Sequence, residues 1–345
     1  MKILRALAVS GLFAAGTTTA GWFHDADPHT AIVGLPDEQA WPAAVAAVAP
    51  GVPAPDLQTA TPDQVRRFFA RLTSAQQRDL VRRVPAVVGN LDGVPYRLRY
   101  AANARAGDQV LGYDPRGDGR LIQVFGDLGT ARHIAVLVPG SGWRLANLAG
   151  DVPPPGVPPT VSARGLLAET RRLDPAARVA VVVWLGYDAP EAIDKQSVRS
   201  ERAIAGAPAL GRFVAGLPEK AQVTLLCHSY GAVVCGRAAP TVAADDIVAL
   251  AAPGMDVDTA ADLRTAARVW AARTADDPIR FVPNLRFAGF GHGTDPTAPD
   301  FGARRVATGT AHGHDGYYTP GTQSLTNLAR VVLGRTTEVN DDARV

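Results

Sequence analysis

The sequence predicts an α/β fold: a doubly wound, mostly parallel sheet preceded by an N-terminal helical segment. From about Arg120 onward, short runs rich in β-branched residues alternate with helical stretches. These runs are continuously apolar rather than alternating, as expected of strands covered on both faces by crossover helices. Ahead of them, capping patterns open helices instead.

Residues 1–20 start basic (Met1, Lys2, Arg5), turn apolar from Ala6 to Ala15 and end in the small residues Gly16 to Ala20. This is the layout of a secretory signal peptide, with cleavage expected after Ala20. An uncleaved anchor is the competing reading, but the apolar stretch falls short of the roughly 18 residues of a spanning helix. Export and no stable membrane insertion after cleavage are therefore expected.

Residues 21–85 form a leader and helical segment. Up to about residue 60 they are rich in Ala, Pro and Asp, with one helix-like piece near Trp41 to Val48, and read as loosely packed. Thr61-Pro62-Asp63-Gln64 then supplies an N-cap threonine, a proline at N1 and a glutamine at N3. Ser74-Ala75-Gln76-Gln77 repeats the capping box.

Residues 86–335 are expected to form the α/β domain, and residues 336–345 a tail. Strands are predicted at 120–125, 133–140, 177–186, 221–229, 246–254, 266–274 and 303–310, and helices at 162–173, 197–216, 230–239 and 322–333. The Pro-rich stretch at 150–160 belongs to neither class; it reads as a stiff loop, with the rim of a substrate cleft as its functional alternative.

Lys plus Arg number 35 against 33 Asp plus Glu, with no basic block, so neither nucleic acid nor an anionic membrane surface is suggested as a partner. No strand is followed by G-x-G-x-x-G, which argues against dinucleotide binding. The cysteines, Cys227 and Cys235, are expected to be free thiols: one falls at a strand end and the other two turns into a helix, beyond the roughly 7 Å span of a disulfide.

The stretch "LLCHSYGAVV", Leu225 to Val234, holds Ser229 between a predicted buried strand and a predicted helix. That is the position of a nucleophile elbow, which needs small residues two before and two after the serine. Gly231 meets the second demand, and Cys227 replaces the usual glycine at the first. A hydroxyl also needs a general base oriented by a carboxylate, in the order Ser, Asp or Glu, His.

His228 is expected to point away from the cleft. The loop "AHGHDGYYTPG" after the last strand offers His314, the preferred base, and His312 as its rival. A zinc pair built on them lacks further ligands, and no cofactor is expected. For the acid, "TADDPIRFVP" offers Asp277, with Asp276 second and Asp256 on the preceding connection as a rival. Oxyanion donors are expected from the backbone N–H of Tyr230 and from the turn "LVPGSGWR", at Gly140 and Ser141.

Taken together, "GNLDGVPYRLRYAAN" (89–103), "VLVPGSG" (136–142), "VWLGYDAP" (183–190), "CHSYG" (227–231), the Asp277 turn, "GHGTDP" (291–296) and "HGHDGYYTPGTQSLTNLARVVLG" (312–334) resemble an actinobacterial family of α/β-hydrolases long catalogued as a domain of unknown function. The resemblance covers roughly 85–335 and implies an α/β-hydrolase fold, with Ser229 as nucleophile and His314 as base. The family's elbow usually reads G-H-S-Y-G, so Cys227 is the departure. Within the loop at 186–190, Tyr187 is expected to pack on the elbow and Asp188 to cap the turn.

The expected function is a secreted serine hydrolase acting on a small-molecule or lipid ester, with amide or thioester cleavage as lesser alternatives. A catalytically silent scaffold that binds at the cell envelope is the reading from another class. Substrate identity and oligomeric state are not encoded in these motifs.

Overall fold

The computed structural model describes residues 34–151, 153–191, 196–287 and 289–341. The segment read as a signal peptide lies outside the described residues. Among the described residues five α-helices come first: α1 (Trp41–Val48), α2 (Pro62–Arg71), α3 (Ser74–Arg83), α4 (Pro85–Asn90) and α5 (Tyr96–Ala102). Thr61 caps α2 through the Gln64 N–H while Gln64 returns a bond to the Thr61 N–H, as its sequence predicts. In α3 the cap is Thr73 rather than Ser74, because Gln76 and not Gln77 stands at N3 and closes the box.

The expectation of a loosely packed leader is corrected for residues 35–60. Trp41 is buried against Phe68 and Phe69, with ring centroids 5.7 and 6.4 Å away, and donates its indole N–H to the Pro55 carbonyl. Leu80, Val87, Val88 and Leu91 complete this small apolar core. Ala and Pro composition conceals it, since a few aromatic anchors do most of the burying.

The remaining chain builds β1 (Val110–Asp114), β2 (Arg120–Gly126), β3 (His133–Val138), α6 (Leu145–Ala149), α7 (Pro159–Leu173), β4 (Val179–Leu185), α8 (Glu201–Ala215), β5 (Gln222–His228), α9 (Tyr230–Ala238), β6 (Asp246–Leu250), β7 (Gly254–Val257), β8 (Arg268–Ala272), β9 (His292–Gly293), β10 (Arg304–Arg305) and α10 (Gln323–Val332). Eight strands form one sheet in the order β1-β2-β4-β3-β5-β6-β8-β10, and β7 pairs with β9 separately. β2 runs antiparallel to β1 and β4, and the other pairings in the large sheet are parallel.

Every residue of β4 is buried, which explains its unbroken run of Val, Trp and Leu. One face of the sheet packs on α8 and α9 through residues such as Trp184, Phe213 and Leu225, and the other packs on α7 and α10 through Leu166, Trp270 and Leu328. The strand expected at 303–310 shortens to β10, where pairing with β8 ends at Arg305 and the chain turns toward the loop of His314. β1 is unpredicted, a short edge strand containing Gly112.

The helical segment is fastened to β1 by side chains. Asn90 donates to the Tyr113 carbonyl and accepts from its N–H, at 2.8 and 2.9 Å. Arg99 Nε reaches the Leu111 carbonyl at 2.6 Å, and Asn103 the Val110 carbonyl at 3.2 Å. These bonds satisfy backbone groups that an edge strand otherwise presents to solvent.

Candidate active site

The parallel strands β3, β4, β5, β6 and β8 share one C-terminal edge, and Ser229 stands on it between β5 and α9. Its backbone sits at φ 53° and ψ −126°, a region that costs a non-glycine residue on the order of 1–3 kcal/mol. The Ser229 N–H bond to the Leu250 carbonyl, at 2.8 Å, helps hold that conformation. A Cβ on Gly231 would lie 2.3 Å from the Val138 carbonyl oxygen, so only glycine lets α9 start this close to β3.

Cys227 and Cys235 form a disulfide, which corrects the expectation of free thiols. The sharp turn at Ser229 folds α9 back along β5, so the Cα atoms are 6.4 Å apart and within bridging range. The departure from glycine two residues before the serine is thus a covalent tie between the strand and the helix of the elbow.

Gly140 presses against the serine from β3. A Cβ there would meet Ser229 Cβ at 2.7 Å and the Tyr230 nitrogen at 3.1 Å. The turn at Gly140 and Ser141 therefore runs beside the N–H of Tyr230, whose place at the first helical position leaves it without an intrahelical acceptor. The next residues are tethered: Gly142 N–H reaches the Pro190 carbonyl at 2.7 Å, and Asn147 donates to the Gly142 carbonyl at 2.6 Å.

Tyr187 is buried, stacks on Tyr230 at 6.5 Å and donates to the Pro139 carbonyl at 2.7 Å, which braces the same turn. Asp188 forms an ion pair with Arg202. The Tyr230 hydroxyl, turned away from the cleft, donates to the Arg199 carbonyl and accepts from the Ala203 N–H.

Asp277 follows β8 and His314 follows β10. His314 Nδ1 lies 2.9 Å from Asp277 Oδ1. Asp277 is fully buried, and its carboxylate also accepts from the Ile279 N–H at 2.9 Å and the Tyr317 hydroxyl at 2.7 Å. Burial pushes its pKa upward, but the bonds from His314, Ile279 and Tyr317 together outweigh that and hold it below the ordinary carboxylate value. Because an ionised carboxylate only accepts, Nδ1 of His314 carries the proton and Nε2 is left as the basic nitrogen.

The rivals are placed elsewhere. His312 is exposed and faces Asp276 at 3.7 Å. Asp276 instead accepts the Gly313 N–H at 2.8 Å, bracing the loop that bears His314. Asp256 is buried in an ion pair with Arg237, and His292 donates to the Ser197 carbonyl within the α8 and β9 region.

His228 is a further correction: it turns toward the site. Its ring stands 4.8 Å from that of His314, and its Nε2 donates to the His314 carbonyl at 2.7 Å. Burial, reinforced by repulsion from charge on His314, draws its pKa down to about 4, so the ring is neutral at pH 7. Tyr317 and Thr274, neither singled out from their types, complete the support: Thr274 donates its N–H to the Tyr317 hydroxyl and its own hydroxyl to the Gly313 carbonyl.

Beside this cluster runs a small cleft lined by Trp143, Val157, Pro159, His228, Asp315 and Tyr318, so the Pro-rich loop contributes to its wall. Among the described residues no cluster of three or more His, Cys, Asp or Glu is arranged to hold a metal ion.

The chain is 26% identical to the uncharacterized protein Rv2079 of Mycobacterium tuberculosis, over 79% of its own length and 55% of that protein's. It is 30% identical to the uncharacterized protein Rv0963c of the same species, over 48% of this chain and 65% of the other. It therefore spans about half to two thirds of the length of these curated relatives. Among solved structures, the esterase PE8 superposes with a TM-score of 0.37 at 16% identity, covering 61% of this chain and 96% of that one. XC6422 from Xanthomonas campestris, described as a member of a/b serine hydrolase without lid, gives a TM-score of 0.35 at 14% identity, covering 64% of this chain and 90% of that one. A family model described as an alpha/beta hydrolase matches residues 114–287, which hold the sheet from β2 to β8, the Ser229 elbow and Asp277, and the chain belongs to that family.

Proposed function

We propose that the protein is an exported serine hydrolase that cleaves carboxylic esters through an acyl-enzyme. The observation that carries this reading is the 2.9 Å contact between His314 and the buried Asp277, on the sheet edge where Ser229 is held in a strained turn. In this scheme His314 Nε2 takes the Ser229 proton as Oγ attacks the ester carbonyl. The N–H of Tyr230 and a donor from the Gly140 and Ser141 turn bind the oxyanion. His314 then gives the proton to the departing alcohol, and a water molecule activated by the same nitrogen releases the acid. Asp277 fixes the tautomer and stabilises the imidazolium.

Export is supported by the basic, apolar and small-residue order of residues 1–20 and by the Cys227–Cys235 bond, which persists in oxidising compartments. N-terminal sequencing of protein recovered outside the cell would reveal cleavage after Ala20.

The reading is tested by intact-mass analysis after exposure to a fluorophosphonate. One adduct is expected on the folded protein, absent in Ser229→Ala, strongly slowed in His314→Ala and unaffected in His312→Ala. A folded wild-type protein that takes up no adduct would instead favour the silent scaffold.

A further inference from the structure

Among the described residues, large apolar side chains left in water gather at one pole. Val157 and Val161 lie on the connection leaving β3 and in the first turn of α7, and Val198 and Ile204 on the connection leaving β4 and in the first turn of α8. The rest lie after β8: Phe281, Leu285, Phe287 and Phe290 are 57%, 46%, 78% and 44% exposed. All of these segments leave the C-terminal edge of parallel strands, the edge that carries Ser229. Exposed apolar groups gathered in one region mark an interaction face, whereas scattered ones need no explanation.

The β8 segment has a composition of its own. From Pro278 to Gly291 it contains Arg280 and Arg286 and no Asp or Glu, a local balance that the whole-chain charge conceals. Phe287 and Phe290 exchange backbone hydrogen bonds at 2.9 Å, closing a turn with both rings exposed. Arg280 lies over the Phe281 ring at 4.7 Å and Arg199 over the Phe290 ring at 4.4 Å. Arg286 and Arg199 also meet the carboxylates of Asp258 and Glu201 at the base of the segment. Gly291 N–H bonds the Val198 carbonyl at 2.8 Å, joining this segment to the one from β4.

We propose that this edge is a peripheral docking face for a lipid surface bearing anionic headgroups. Phe281, Leu285 and Phe287 enter the boundary between headgroups and acyl chains, and Arg280, stacked beside the Phe281 ring, meets the phosphates. Pairing of apolar rings with adjacent cations matches the layered chemistry of that boundary, where apolar burial and attraction to anionic lipid act together. Among the described residues no helix is long and apolar enough to cross a membrane.

The test is co-sedimentation of the mature protein, residues 21–345, carrying Ser229→Ala, with vesicles of equal parts phosphatidylcholine and phosphatidylglycerol. It needs no turnover, so failure of the hydrolase reading and failure of docking are separate results. The parent is expected in the pellet, and Phe281→Ser/Leu285→Ser/Phe287→Ser is expected to lower the partition coefficient at least about tenfold. Arg280→Gln is expected to lower it less and to weaken its dependence on salt. Phe287→Trp guards against misfolding of the triple variant: its emission is expected to shift to the blue on vesicle addition by more than that of the parent. A parent that stays in the supernatant, or a folded triple variant that pellets like the parent, overturns the proposal. Concentration-dependent dimerisation without lipid that the triple variant abolishes assigns the face to a second copy and overturns it equally.

Discussion

The imidazole of His228 donates its Nε2–H to the main-chain carbonyl of His314 across 2.7 Å, so the residue that precedes Ser229 in sequence holds the loop bearing the candidate base. Removing that bond with His228→Ala is expected to lower kcat about five- to tenfold, the worth of one hydrogen bond of about 1 kcal/mol, with KM little changed. His228→Gln, which keeps a donor, should recover much of the loss. Equal falls in both variants would mean that bulk rather than the bond positions the loop.

The same residue makes stability depend on pH. Its folded pKa of about 4 lies below its ordinary 6.5, so the unfolded chain binds more protons between those values. Stability should therefore be complete above pH 6.5 and fall as pH drops toward 4, by up to about 3 kcal/mol from this group. His292, also drawn down by burial, acts in the same direction. Urea unfolding at a series of pH values checks this, and His228→Gln should flatten the slope.

Replacing the buried acid should separate orientation from binding. Asp277→Asn is expected to lower kcat on a soluble ester by about 10³ to 10⁴ through the wrong tautomer of His314. Tyr317→Phe should cost about 1–2 kcal/mol of stability, since it takes one hydrogen bond from a fully buried carboxylate. Steady-state kinetics beside thermal melts would distinguish the two effects. An Asp277→Asn enzyme with undiminished kcat would remove Asp277 from the mechanism.

Opening the tie across the elbow should be measurable by denaturation. For a bridge with a sequence separation of 8 residues, the loss in Cys227→Ala/Cys235→Ala is expected to be about 2–3 kcal/mol. Reductant should destabilise the native protein and leave the double variant unmoved. If both respond alike to reductant, the bond does not exist in solution.

Two glycines should not tolerate a single added carbon. In Gly231→Ala the new atom would stand 2.3 Å from the Val138 carbonyl oxygen, and in Gly236→Ala 1.9 Å from that of Met255. Both neighbours are main chain, so losses of about 3 kcal/mol or more are expected in each. Gly313→Ala is a control for glycine loss itself: no neighbour lies within 4 Å, although its φ of 69° adds some strain.

Much of this architecture is written locally. β4 is legible because a strand covered on both faces is apolar throughout, and chain order together with the motifs of the two loops favours Asp277 over Asp276 and Asp256 and His314 over His312, a pair that the fold brings to 2.9 Å. The Cys227–Cys235 bond is not legible, because the distance depends on how tightly the chain reverses at Ser229. The orientation of His228 is hidden for a similar reason: its partner is a carbonyl 86 residues away. β1 is obscured because its outer backbone groups are satisfied by Asn90, Arg99 and Asn103, side chains whose role emerges only after α4 and α5 dock.

Those three side chains also limit how copies of the protein could join. A strand from a second molecule needs open carbonyl and amide groups to extend a sheet, and at β1 those of Val110, Leu111 and Tyr113 already have partners within the chain. The opposite margin ends in β10, only two residues long, too short to template a stable ladder. Continuing the eight-stranded sheet from one subunit into the next is thus disfavoured at both of its margins.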